Sequence, residues 1–124
     1  MASCTRNHGD IGPWFGTWHV EAITLGGETI ELLDDCFFQF QSGVFRVSMV
    51  DDRQRLVESF GAWEETQGGK LIVSFPDVSV YYIQVPGLEA YNDFKIEELK
   101  NGHLTLSKVL TDGSPCTFIL KKQP

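Results

Sequence analysis

Apolar and polar residues alternate in short runs along this chain, and residues that favour turns separate the runs. In Cys36-Phe37-Phe38-Gln39-Phe40-Gln41, Phe38 and Phe40 share one side, while Gln39 and Gln41 share the other with Phe37. Phe45, Val47 and Met49 align against Arg46 and Ser48, and Leu71, Val73 and Phe75 align in the run that starts at Lys70. Leu104 and Leu106 do the same after His103. A two-residue period puts these side chains on one buried face of a sheet whose other face is wet. Turn signals fall at Gly26-Gly27, Ser42-Gly43, Asp51-Asp52, Gly68-Gly69, Pro76-Asp77, Pro86-Gly87, Asn101-Gly102 and Asp112-Gly113. Such signals every 8–12 residues or so mark an all-β sandwich or barrel.

The hairpin pattern is sharpest around Asn101-Gly102. These two residues tolerate the positive φ that a type I′ turn needs, and the turn sets Leu99 opposite Leu104. Phe94 and Ile96 are out of phase with Leu99, which predicts a bulge near Glu97-Glu98. No stretch has a helical period. Gly12-Pro13-Trp14-Phe15 suits one short 3₁₀ turn before the first strand. Hairpins in series close readily, because closure removes unpaired edges. The predicted fold is therefore all-β, a single antiparallel up-and-down barrel of about eight strands. Residues 1–10 are polar and read as a flexible tether, and residues 11–124 as the barrel domain.

At 124 residues and 42% hydrophobic, the chain suits one globular domain. The net charge of −7 argues against nucleic acid and against anionic membrane surfaces, which recruit basic patches. No apolar run approaches the roughly 20 residues of a membrane-spanning helix. The three cysteines, Cys4, Cys36 and Cys116, show no metal-ligand spacing. Two readings stand for them. In one, Cys36 and Cys116 form a disulfide and Cys4 is chemically special. In the other, all three are reduced and two are buried as small apolar residues.

Catalytic patterns are absent, and the chain is not expected to be an enzyme. His8, His19 and His103 have no ligand spacing, and no phosphate-binding loop or nucleophile motif occurs. Adjacent carboxylates such as Asp34-Asp35 or Glu97-Glu98 point to opposite faces of a strand, so they form no dyad. Glu58 is in period with Leu56 and Phe60, which would turn it inward or pair it with Arg46 or Arg55. No metal or cofactor is expected. The aromatic residues carry more information. Trp18, Phe38, Phe40, Phe60, Trp63 and Tyr82 are the candidates to line the barrel interior, which in a barrel of this size is either filled or holds one small ligand.

Gly16-Thr17-Trp18, entering the first strand just after Pro13-Trp14-Phe15, resembles the G-x-W signature of lipocalins and related calycin barrels. In that family the Trp closes the barrel floor against the N-terminal turn and a basic residue of the last strands. The resemblance implies Lys108, Lys121 or Lys122 as that residue, where the family usually has Arg. The chain is shorter than a typical lipocalin and shows no long C-terminal helix. It more closely resembles small lipocalin-like lipoproteins of Gram-negative bacteria, whose mature chains begin at a lipidated Cys. Ser3-Cys4-Thr5 looks like that junction. The resemblance thus implies a protein of the bacterial cell envelope, periplasmic or at the outer membrane, attached to the membrane only through Cys4. It also implies a small apolar or amphipathic ligand in the barrel. The other reading is an interaction or inhibitor domain with a filled barrel. It would work through the loops around Asp51-Asp52-Arg53-Gln54-Arg55 and Leu88-Glu89-Ala90-Tyr91.

Overall fold

The computed structural model describes residues 14–30, 35–50, 53–75 and 85–123. Nine strands form among them: β1 (Gly16–Leu25), β2 (Glu28–Ile30), β3 (Cys36–Gln41), β4 (Val44–Val50), β5 (Leu56–Thr66), β6 (Lys70–Ser74), β7 (Tyr91–Lys100), β8 (His103–Val109) and β9 (Pro115–Lys122). Eight of them hydrogen-bond in the closed ring β1-β3-β4-β5-β6-β7-β8-β9, with β9 returning to β1. The short β2 lies outside the ring as a hairpin arm on the upper part of β1, pairing Ile23 with Ile30 and Leu25 with Glu28. Every pairing is antiparallel, and the return of β9 to β1 leaves the ring no free edge.

The alternation anticipated from the sequence sets which side chains face in. Cys36, Phe38 and Phe40 on β3, Phe45 and Val47 on β4, Leu71 and Val73 on β6, and Leu104 and Leu106 on β8 are all buried. Asn101 and Gly102 both have positive φ, at 54° and 77°, and Leu99 pairs with Leu104. The predicted bulge is present, since the register slips between Ile96 and Glu98. A second slip, between Ile119 and Leu120 on β9, leaves Glu21 of β1 without a partner. It shifts the inward phase of β1 from Trp18 and Val20 to Ile23.

Cys36 and Cys116 are free thiols, which corrects the disulfide reading. They sit on β3 and β9, on opposite sides of β1. Two strand spacings separate those strands by roughly 9 Å, beyond the reach of about 7 Å between the Cα atoms of a bridge. Burial pushes the Cys36 thiol up to about 12. Burial also raises Cys116, against the lowering effect of the Lys108 ammonium.

Candidate functional site

The barrel has two unlike ends. Ser42-Gly43, the 67–69 turn and Asn101-Gly102 join strands tightly at one end, where β1 also starts and β9 ends. The described parts of the longer connections, 53–55, 85–90 and 110–114, lie at the other. The first end is a floor and the second a mouth.

Three tryptophans build the floor. Trp14 and Trp18 are 1% exposed and Trp63 is 8% exposed. A buried indole N–H needs an acceptor, and each of these has one. Trp14 Nε1 donates to Glu65 Oε1 at 2.8 Å, Trp18 Nε1 to the Trp14 carbonyl at 2.9 Å, and Trp63 Nε1 to the Gln41 carbonyl at 2.6 Å. The basic partner of Trp18 is Lys122, whose Nζ lies 5.5 Å from the ring. Lys122 continues the inward phase of Cys116, Phe118 and Leu120. Gly16 makes room for it, because a Cβ there would stand 3.1 Å from Lys122 Cε. Lys108 and Lys121, the other two candidates, are not at this contact. Lys108 lies near the mouth, and Lys121 is one residue out of phase with Lys122.

Above the floor the wall is aromatic. Trp14 and Trp63 contact Phe40 at 5.2 Å between ring centroids, Phe40 contacts Phe45 at 5.2 Å, and Phe45 contacts Phe38 at 5.0 Å. Phe38 then meets Phe118 at 5.7 Å, and Phe118 meets Phe94 at 5.6 Å. Of the six candidates, Trp18, Phe38, Phe40 and Trp63 are brought together here. Tyr82 lies outside the described residues.

Phe60 does not line the interior and is corrected. It is 51% exposed, because β5 turns Ser59, Gly61 and Trp63 inward and Phe60 outward. It instead forms part of an outer apolar groove of about 490 Å³ with Val44, Gly61, Ala62, Ser74 and Phe75. Glu58 shares this outer face, where Arg46 Nη1 pairs with it at 3.1 Å.

At the mouth, residues 85–90 form a strap that precedes β7. Val85 and Leu88 are buried. Gly87 presses on the inner wall, since a Cβ there would lie 2.5 Å from Cys116 Sγ and 3.3 Å from Phe118 Cζ. Two buried polar side chains hold the strap. Asn92 Nδ2 donates to the Val73 and Glu89 carbonyls, and its Oδ1 accepts from the Glu89 N–H at 2.8 Å. The Lys108 side chain, 2% exposed, donates to the Gly87 carbonyl at 2.8 Å, Glu89 Oε1 at 2.9 Å and Asn92 Oδ1 at 2.6 Å. This cluster escaped the sequence reading. Its signal was present, because Lys108 follows Leu104 and Leu106 in inward phase and a buried ammonium requires partners.

A lipocalin-like protein from Bacteroides uniformis superposes on the chain with a TM-score of 0.73 and 24% identity, covering 90% of this chain and 100% of that one. The chain has a lipocalin-like fold. Lobster apocrustacyanin A1 matches this lipocalin-like barrel at 0.55 and 14% identity, over 96% of this chain and 66% of that one. Bovine odorant binding protein matches it at 0.50 and 15%, over 90% and 75%. No protein-family model and no curated protein matches the sequence.

Proposed function

We propose that this lipocalin-like barrel is a binding protein that holds one small apolar or amphipathic molecule against its inner wall. The observation that carries this reading is the asymmetry of the two ends. The floor is sealed by three hydrogen-bonded indoles, whereas polar side chains tie the strap across the mouth. Polar ties can exchange with water, so the mouth is the end through which an occupant passes. Phe38 and Phe40 are the lining, and Trp18 and Trp63 the base. Affinity would come from apolar burial, at about 25 cal/mol per Å². The fold fits this role, and one similar structure carries odorant binding in its name. Native mass spectrometry of the purified protein tests it. An apolar adduct of defined mass is expected, and the bare chain mass both alone and after incubation with apolar probes would overturn it.

Exposure of Leu88 and Tyr91 together on one rim would favour the loop-interaction reading. Leu88 is buried while Tyr91 is 61% exposed, so that paired apolar surface is missing.

We further propose that the protein works in a bacterial cell envelope, anchored by a lipidated Cys4. Ser3-Cys4-Thr5, which lies outside the described residues, supports this reading. The mass of the Cys4 peptide from native membranes tests it. A diacylglyceryl addition is expected, and an unmodified thiol overturns the anchor.

A further inference from the structure

Lysines elsewhere on the barrel have an acid beside them. Lys70 pairs with Asp93, Lys95 with Glu97 and Lys108 with Glu89. Lys100 and Lys121 make no ion pair among the described residues, and neither does His103. The register gathers these three at one corner of the floor. Lys100 stands opposite His103, and His103 opposite Lys121, in a single row across β7, β8 and β9. Residues opposite one another share a face, with about 5 Å between their Cβ atoms. All three are exposed. Glu98, opposite Thr105 in the next row, makes no ion pair with them. β8 and β9 themselves carry no Asp or Glu, in a chain that has 17. Lys100 and Lys121 therefore repel across His103 with no acid between them, a small cost to the fold.

A hollow of about 220 Å³ opens at the same corner, lined by Trp18, Leu99, Lys100, Asn101, Gly102 and Lys122. Lys100 and Lys122 face this one space from two different strands, and the Trp18 ring backs the Lys122 ammonium. The frame of the hollow is fixed by backbone, because the Lys122 N–H donates to the Gly102 carbonyl at 2.8 Å. A carboxylate would balance only one ammonium. A phosphate ester carries about −1.5 to −2 charges near pH 7 and offers three acceptor oxygens, so it can meet ammonium groups that arrive from two sides. Lysine serves such an anion as a point charge. The net charge of −7 is a sum over the chain, whereas an anion responds to the local field.

We propose that this hollow is a binding site for a phosphate ester, with Lys100 and Lys122 on its oxygens and Lys121 and His103 drawing it in from the outer face. The site lies at the opposite end from the mouth and does not depend on an occupant of the interior.

Glycerol phosphate and glycerol, which share a body and differ in the charged group, test the proposal by NMR titration. Glycerol phosphate should shift the amide signals of Asn101 and Gly102, and glycerol should not. Lys100→Gln should weaken glycerol phosphate about fivefold, the upper range for an exposed charge pair. The same change should leave the melting temperature level or raise it, because it also relieves the row. A lysine that only supported the fold would lower the melting temperature on removal. Lys121→Gln should weaken binding less, since Lys121 stands outside the hollow. Lys95→Gln, at a lysine already paired, should leave the affinity unchanged. Vesicles of phosphatidylglycerol and of phosphatidylcholine decide the source of the phosphate. Sedimentation of the chain with the first alone, lost in Lys100→Gln, assigns a lipid head. Binding of glycerol phosphate without sedimentation assigns a soluble ester. Equal shifts with glycerol, an affinity indifferent to Lys100→Gln, or no response to either phosphate source would overturn the site.

Discussion

A single residue of β5 shows how closely the wall is fitted. Gly61 stands opposite Phe45, and a Cβ on it would approach the Ser74 carbonyl oxygen to 2.2 Å and Phe75 Cδ1 to 2.9 Å. Backbone cannot yield as a flexible side chain can. Gly61→Ala should therefore cost about 2 kcal/mol or more in urea unfolding, within the usual range for overpacking. The neighbouring Phe60 should behave oppositely. Phe60→Ser should stay within about 0.5 kcal/mol, whereas Phe38→Ala, at a fully buried ring, should cost about 3–5 kcal/mol. The sequence misplaced Phe60 through its aromatic character. Phe60 and Trp63 are three positions apart, so a two-residue period cannot put both on one face, and the pattern had to be followed over the type of residue. Phe38 and Phe40, two apart, were legible for the same reason.

At the scale of elements, the turn, the register and the bulge of the β7–β8 hairpin were readable, because all three are local. Asn101 holds a φ of 54°, which a β-branched residue resists. Asn101→Val should cost about 1–2 kcal/mol by thermal unfolding. The strap was not readable. Its anchors, Asn92 and Lys108, are polar residues turned inward, and their partners come from other parts of the chain. Asn92 also interrupts the apolar pattern, which hid the true start of β7 at Tyr91. The strap should respond to acid. Burial alone would raise the Glu89 carboxyl, but hydrogen bonds from Thr111 and Lys108, with the Lys108 charge, hold it below its ordinary value. A lowered carboxyl stabilises the fold above the unfolded value, about 4.3, and that contribution fades as pH falls through the folded value. Strap amides such as Leu88 should therefore lose hydrogen-exchange protection on acidification before the ring strands do. Glu89→Gln should remove that pH dependence.

For the molecule as a whole, the number and order of the hairpins foretold a closed ring, because edges left unpaired would be exposed. The floor was foretold by Gly16-Thr17-Trp18, although which lysine met Trp18 depended on the phase of β9 and on closure. What the linear pattern could not hold was the difference between the ends. That arises from how loops of unequal length gather when the ring closes.

The placement of the indoles has an optical consequence. Trp14, Trp18 and Trp63 are all the tryptophans the chain has, and every one is at the same end. The protein's emission is therefore a depth gauge. Acrylamide should quench it poorly in the native state. An occupant lodged beneath the strap should leave the emission maximum unmoved, and a spectral shift without unfolding would mean that the occupant had reached the base of the barrel.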